Sequence, residues 1–215
     1  MTDLKAFTRN TSVDRVPTGW TNLRSSPDGA LYRVDYGFSL GVEGRTFAAN
    51  MGVVTTPLAT AATTAIVNTT PHAWIRVPDG TAIIPLYAKV VVESHSITTQ
   101  GEISVLIAQN DIGNGTSTAA TAGPISLNTA APVTSACTAR NLATGAATAP
   151  TSPLELTRFS FAASAVDQIF IWDAAKLGVF PVVRGAGTWA IYLGGNAVNY
   201  YAQMIWAELA EAGIS

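Results

Sequence analysis

Two strand-like segments of this chain, residues 83–92 and 200–206, are apolar on both faces, and this limits the fold more than any other feature. Side chains alternate between the two faces of a strand, yet the strongly polar side chains in these segments are those of Lys89 and Gln203 alone. A two-layer β-sandwich buries one face of each sheet. The second face must therefore be covered by a loop insertion, by the N-terminal arm or by another subunit, and we favour a contact between subunits as part of the cover.

Short strand candidates separated by turn residues occupy most of the chain. In the clearest region, residues 74–77 and 82–93 flank Pro78-Asp79-Gly80, which predicts a β-hairpin because Gly tolerates the positive φ of the turn. Pro85 cannot donate to a ladder and predicts a bulge or an edge position. A single helical turn is predicted over 173–178, and further strands over 30–40, 45–56, 102–109, 156–162, 168–172, 181–184, 188–194 and 200–209. The pattern predicts an all-β fold, an antiparallel β-sandwich of the jelly-roll type.

Composition divides the chain into an arm, a domain and an insertion. Residues 1–29 are polar and predict an extended N-terminal arm, while residues 30–215 predict a single β-sandwich domain. Within the domain, residues 110–155 are rich in Ala, Thr and Gly, and between Asp111 and position 153 Arg140 is the single charged residue. We predict a long loop insertion here, since structureless loops beyond about 15 residues are uncommon and usually functional.

Charge is scarce, and its scarcity excludes several kinds of partner. Charged residues make up 12% of the chain, against a usual ~25%. A net charge of −2 offers no basic field for phosphate contacts, so we predict no nucleic-acid partner. No stretch approaches the ~18 apolar residues of a membrane span, so we predict no membrane partner, and the first ten residues lack the apolar core of a secretory signal. Cys137 is alone, which excludes an internal disulfide and a cysteine metal site.

Two patterns suggest catalysis, and neither has the context that its chemistry needs. Residues 37–41 match Gly-x-Ser-x-Gly, but a nucleophile elbow requires a strand-to-helix turn, and here the flanks alternate like a strand. His95 lies two residues after Glu93, and His72 is the one other histidine. Two ligands are too few for a catalytic metal, which usually takes three. We predict no metal and no other cofactor.

Carboxylate pairs for glycoside hydrolysis need two acids about 5–10 Å apart across a cleft. The candidates are Glu93, Glu102, Asp167 and Asp173. Nothing in the sequence indicates that they converge, and 14 acids in 215 residues supply such pairs by chance. We therefore predict that the protein is not an enzyme.

The five tryptophans separate into core and surface candidates. Trp189 and Trp206 share strand faces with apolar residues and predict core or interface positions. Trp74 shares its face with Arg76, which favours an exposed or interfacial aromatic side chain, and Trp20 in the arm is a candidate anchor onto a neighbouring protein. The candidate interface residues are Trp20, Arg24, Trp74, Arg76 and Tyr87.

The order of these segments resembles a known class of proteins. An N-terminal arm precedes WIRVPDGTAIIPLYAKVVVE and EISVLIAQ, a small-residue insertion follows, and GTWAIYLGG and YYAQMIWAEL close the chain. Over about 70–95 and 156–210 this resembles the single jelly-roll structural proteins of tailed-bacteriophage virions, such as head cement or decoration proteins. The resemblance implies no catalysis and carries over no site residue. It implies copies, often homotrimers, that bind the major capsid protein on the outer capsid surface after assembly in the host cytoplasm.

Two other classes fit the same pattern. A receptor- or carbohydrate-binding β-sandwich module of a phage tail or fibre would present Trp or Tyr with nearby Asn and Asp on one exposed surface. A glycosidase or cupin-like enzyme would need carboxylates or histidines that converge in a pocket.

Overall fold

In a computed structural model of the chain, the residues that are described fall into ten ranges. They are 5–6, 21–22, 40–41, 43–53, 56–60, 65–94, 101–141, 147–161, 168–195 and 198–213. The strands, in chain order, are β1 (Lys5–Ala6), β2 (Thr21–Asn22), β3 (Thr46–Met51), β4 (Leu58–Ala59), β5 (Ala73–Val77), β6 (Thr81–Ser94), β7 (Gly101–Ala108), β8 (Thr118–Ala119), β9 (Ala122–Ser126), β10 (Thr138–Asn141), β11 (Leu154–Phe161), β12 (Gln168–Asp173), β13 (Val183–Arg184), β14 (Gly187–Gly194) and β15 (Asn199–Ala210). The helical elements whose bounds both lie within the described residues are a short helix, α1 (Ala174–Leu177), and a 3-10 turn at Glu211–Gly213.

The strands form two sheets that pack face to face. Sheet I has the order β11-β7-β14-β5-β10-β8, and sheet II has the order β12-β6-β15-β3-β9, with β13 added beside β6 and β4 beside β15. Every strand pair within the described ranges is antiparallel. The predicted all-β antiparallel sandwich is therefore confirmed. β1 and β2 pair with each other outside these two sheets.

The core lies between the sheets and is built from alternate residues of their strands. Trp189 and Ile191 point into it from β14, and Met204 and Trp206 from β15, with 0% exposure each. Trp172 and Trp189 pack at 6.0 Å between ring centroids, which joins sheet II to sheet I. The predicted core positions of Trp189 and Trp206 are confirmed.

The predicted hairpin at Asp79-Gly80 is wrong. Thr81 N–H donates to the Pro78 carbonyl at 3.2 Å and Gly80 has φ +78°, so the turn itself forms. However, β5 belongs to sheet I and β6 to sheet II, so the turn carries the chain across the sandwich. Turn residues allow the chain to reverse, but the pairing partner is decided by distant strands: β6 pairs with β15 and β5 with β14.

The predicted irregularity at Pro85 is confirmed as a bulge. Tyr87 pairs with Ile205 and Pro85 with Trp206, which leaves Leu86 between them without a partner on β15. The extra residue reverses the alternation, so the assignment of faces across this point from strict alternation is wrong. The buried positions that alternate on either side of the bulge are Ile83, Pro85, Ala88, Val90 and Val92.

The prediction of a long structureless insertion over 110–155 is wrong for its described residues. This segment contributes β8 and β10 to sheet I and β9 to sheet II, and it buries Ile112, Cys137 and Ala139. Its strands are two to five residues long and consist of small side chains, so they have no alternation that sequence analysis can detect. Burial and the nearby Glu208 carboxylate raise the pKa of the Cys137 thiol.

Most other predicted elements are present with small changes of length. The strand predicted over 45–56 ends at Met51, and the helical turn over 173–178 is α1, with Asp173 and Gly178 as its caps. The predicted strand over 30–40 and the predicted arm over 1–29 lie outside the described residues, apart from Leu40 and the residues of β1 and β2.

His72 joins the two sheets as a buried neutral base. The backbone N–H of His72 donates to the Ile191 carbonyl at 2.9 Å. The imidazole Nδ1 accepts from the Leu193 N–H at 3.1 Å. The Tyr200 hydroxyl of sheet II donates to the His72 carbonyl at 2.7 Å. Burial lowers the pKa of His72 from 6.5 to about 4, because the charged imidazolium is not solvated there.

We expect His72 to make stability fall with acidity between pH 6.5 and about 4. Between these pH values the imidazole is protonated in the unfolded chain but stays neutral in the folded chain. The contribution to the free energy of unfolding that is present above pH 6.5 is therefore lost as the pH falls, by about 3 kcal/mol in total. Urea unfolding at several pH values would measure it. In His72→Gln, whose amide oxygen can still accept from Leu193, this loss should disappear from the pH profile, while the carboxylates contribute equally to both proteins. Parallel profiles for the two proteins would contradict a neutral buried imidazole.

Candidate functional site

The outer face of sheet I is covered by the chain itself. Trp74, Ala190 and Tyr192 of that face form a second apolar cluster with Ile112, which is 1% exposed, and Ile66 packs against it. Ile112 belongs to the segment predicted to be an insertion, so one of the three predicted kinds of cover is present on this sheet.

Trp74 is not an exposed aromatic residue, and the prediction that it faces a partner is wrong. Its side chain is 0% exposed, and its Nε1–H donates to the Gly113 carbonyl at 3.2 Å. The loop that follows β7 folds back over it. Trp74 and Arg76 lie on the same face of β5, and a charged neighbour on that face indicates an exposed tryptophan. In the structure both side chains face this loop.

Arg76 fastens the same loop. Its Nε–H donates to Asp111 Oδ1 at 2.7 Å, and its terminal nitrogens donate to Asp111 Oδ2 and Asn114 Oδ1. These hydrogen bonds lower the pKa of Asp111 and raise that of Arg76. Arg76 is therefore engaged within the chain, and its guanidinium holds the loop that buries Trp74.

Among the described residues, the outer face of sheet II has a cover at one end. Leu40 packs there on Ile84 and Ala207 and is 3% exposed. Arg45 N–H donates to the Leu40 carbonyl at 2.9 Å, which fixes the segment beside the sheet. Towards the other end, the outward side chains are half-buried or exposed.

These outward side chains form three rows across sheet II, which we call the sheet II surface. The cross-strand register places them in the rows Ile169, Val91 and Tyr201; Ile171, Lys89, Gln203 and Asn50; and Tyr87, Ile205, Ala48 and Ile125. Gln203 Nε2 donates to Asn50 Oδ1 at 3.2 Å, and burial raises the pKa of the Tyr201 hydroxyl. The charged side chains of this face are those of Lys89 and of Asp173, which pairs with Tyr87 at the β12 end of the third row, so the surface is mainly apolar and aromatic with a narrow polar strip.

The predicted interface residue Tyr87 lies on this surface in the third row, whereas Trp20 and Arg24 lie outside the described residues. Sequence analysis missed the exposed isoleucines at its edges, Ile169, Ile171 and Ile125, which are 41–60% exposed. The fully apolar run around Ile169 and Ile171 was a signal for them, but a run of that kind also fits a strand buried on both faces.

Two of the four acids considered for catalysis, Glu102 and Asp173, have structural contacts. Glu102 pairs with Arg158 at 3.1 Å, and the Asp173 carboxylate caps α1 by accepting from the Ala175 N–H at 3.0 Å. Asp167, His95 and the Gly-x-Ser-x-Gly segment, apart from Leu40 and Gly41, lie outside the described residues. Within the described ranges, no three His, Cys, Asp or Glu side chains gather as a metal site, and no helix is long and apolar enough to cross a membrane.

Comparison with known protein families, with curated proteins and with solved structures found no match.

We expect Ile112 to contribute strongly to stability although it lies in a segment without regular alternation. Ile112→Ala removes the buried side chain that covers Trp74 and Tyr192 and should lower the free energy of unfolding by about 3 kcal/mol. Leu154→Ala is the matched control, because Leu154 is 58% exposed and its truncation should cost at most about 0.5 kcal/mol. Denaturant unfolding measures both. Equal effects would show that the loop does not act as the cover of sheet I.

Proposed function

We propose that this protein is a virion structural protein, a cement or decoration protein that binds the outer surface of a phage capsid. The observation that carries the proposal is the sheet II surface, an extended and mainly apolar and aromatic face with two charged side chains, Lys89 and Asp173. Exposed apolar patches on a folded domain mark sites of interaction with other proteins. Aromatic residues such as Tyr87 and Tyr201 contribute heavily to binding at such sites.

The strand order supports the jelly-roll form of the sandwich. With the two-residue strands and those of 118–141 left aside, eight strands remain, in the orders β11-β7-β14-β5 and β12-β6-β15-β3. Successive strands change sheet at every step except from β7 to β11. Two four-stranded sheets joined by repeated crossings are typical of jelly rolls, a fold that occurs in viral capsid and lectin domains.

The proposed mechanism is multivalent. A rigid β-sandwich that contacts two neighbouring copies of the major capsid protein opposes their separation, because one of its two contacts must break before the copies can part. The protein acts in this role without catalysis and without a cofactor, at the capsid surface, and as a self-associated homotrimer. The low charge of the chain allows many copies to lie side by side with little repulsion.

We expect the double variant Val91→Gln, Tyr201→Gln to bind undecorated capsids at least about 10-fold more weakly than the wild type. Both side chains lie on the sheet II surface and are paired in register, so the change removes adjacent apolar contacts without touching the core. Co-sedimentation over a range of concentrations gives the affinities. The matched control is Leu154→Gln, Val67→Gln, at exposed apolar positions elsewhere, which should bind as the wild type does. Failure of the wild type to co-sediment, or equal binding by both variants, would contradict the proposal.

We expect a chain without residues 1–29 to lose capsid binding while its β-body unfolds at the same denaturant concentration as before. The arm carries Trp20 and Arg24, the remaining candidate contacts to the capsid. Binding by the shortened chain at full affinity would show that the arm is not a clamp.

A receptor- or carbohydrate-binding module of a tail or fibre is the second candidate, and one observation favours it. Tyr87 and Tyr201 share the sheet II surface with Asn50 and Gln203, and aromatic rings next to amides are a pattern that can bind a sugar. Against it, the four described tryptophans are all buried. Thermal stabilisation by a panel of host-surface glycans, in a protein that does not bind capsids, would favour this second function.

A further inference from the structure

The loop that covers Trp74 contains the one Asn-Gly pair of the chain, Asn114-Gly115. In such a pair, the backbone nitrogen of the glycine can attack the carbonyl carbon of the asparagine side chain and close a five-membered imide. Glycine favours this reaction because it has no side chain to keep its nitrogen away from that carbon. The pair is therefore a place where the chain can modify itself if the fold leaves both residues within reach of water.

The fold presents this pair at the surface in a fixed position. Asn114 is half-buried and Gly115 is exposed, so water reaches both residues. Gly113 and Gly115, on either side of Asn114, have φ of +75° and +51°, in the left-handed region that glycine favours. The Gly113 carbonyl accepts from Trp74 Nε1–H at 3.2 Å, which anchors the loop one residue before the pair.

The side-chain oxygen of Asn114 is held by a cation. Arg76 Nη1 donates to Asn114 Oδ1, while Nε and Nη2 donate to the two carboxylate oxygens of Asp111 and so fix the plane of the guanidinium. Arginine stays charged and has no acceptor, so it can only donate to this oxygen. A positively charged donor in this place stabilises the negative charge that develops on Oδ1 when the carbonyl carbon is attacked. The nucleophilic nitrogen, the carbonyl carbon and a donor to the oxyanion are therefore all present at one turn of the loop.

We propose that Asn114 is a site of self-catalysed deamidation, in which Gly115 supplies the nucleophile and Arg76 is the catalytic residue. The Gly115 nitrogen gives its proton to water and forms a bond to Asn114 Cγ, and the negative charge passes to Oδ1 beside Arg76. The bond from Cγ to Nδ2 then breaks, and Nδ2 takes a proton from water and leaves as ammonia. Water adds to one of the two imide carbonyls, and the ring opens to aspartate or isoaspartate at this position.

The product places a carboxylate where the structure already has a cation to receive it. Hydrogen bonds between two charged groups are roughly twice as strong as neutral ones. Where the ring opens to aspartate, an oxygen stays in the place of Oδ1, so Arg76 still fastens the loop over Trp74. The formal net charge of −2 gains one negative charge, on the covered side of sheet I. The reaction is thus a slow, irreversible change of charge that leaves the cover closed, and it does not depend on the proposed binding to a capsid.

A purely structural role of Arg76 predicts the opposite dependence of the rate. If the guanidinium only held the loop still, its removal would free the loop and speed up the attack by Gly115. If it stabilises the oxyanion, its removal slows the attack. Ile112→Ala loosens the same loop by removing a buried side chain and leaves Arg76, Asn114 and Gly115 unchanged. This variant therefore separates the mobility of the loop from the chemistry of the guanidinium.

Incubation of the folded protein in a mildly alkaline buffer, followed by peptide mapping with mass spectrometry, measures the loss of the Asn114 amide. The wild type should convert at Asn114 and leave Asn128, which is followed by Thr, unchanged. Arg76→Gln should convert about 10-fold more slowly, a smaller effect than in a closed active site because Arg76 is only half-buried. Ile112→Ala should convert at least as fast as the wild type. Asn114→Gln should not convert, because its longer side chain would have to close a six-membered ring.

The opposite results overturn the inference. An Asn114 amide that stays intact in the folded wild type would do so, as would conversion of Arg76→Gln at the wild-type rate or faster, or an equal slowing in Ile112→Ala. If Arg76→Gln does not fold, the wild type unfolded in urea takes its place, because Arg76 is then no longer held at Asn114 Oδ1. The unfolded chain should convert more slowly than the folded protein, and an equal or higher rate in urea contradicts a catalytic role of Arg76.

Discussion

An apolar sheet face in contact with water is unstable, and this sandwich has two sheets whose strands are apolar on both sides. The inner faces pack on each other around Trp189, Met204 and Trp206. The outer faces of the two sheets also need to be covered from water, and the two sheets are covered in different ways. Sheet I uses the loop that carries Ile112, fastened by the ion pair of Arg76 with Asp111. Sheet II has Leu40 at one end and an open apolar surface beyond it.

This difference gives the molecule two unlike sides. The cover of sheet I is made from the chain and is held by hydrogen bonds from Trp74 and Tyr192 to backbone carbonyls. The sheet II surface and its edges hold most of the exposed large apolar side chains of the described residues. Binding to a larger assembly is therefore proposed on the sheet II side, with the covered side facing away from it.

The class of fold could be predicted from sequence because strand alternation and turn residues are local signals. The prediction of a bulge or an edge position at Pro85 and that of a helical turn at 173–178 also rest on local signals. The pairing of strands could not be predicted from such local signals. Asp79-Gly80 indicates a turn, but the choice between a hairpin and a crossing to the other sheet depends on β14 and β15, which are more than a hundred residues away. Trp74 was misjudged because its cover, around Ile112 and Gly113, comes from a segment whose small residues show no pattern. The sheet II surface needed the register of five strands before its rows could be seen.

The position of β15 has a consequence for how the protein is made. This strand, residues 199–210, lies in the centre of sheet II with β6 on one side and β3 on the other. Until β15 has been synthesised, β6 and β3 have no partner between them, and the edges that they turn towards it stay unpaired. Sheet II can close only when β15 joins β6 and β3, so its closure depends on contacts between strands that are more than a hundred residues apart. Until then the facing edges of β6 and β3 are open to pairing with other molecules.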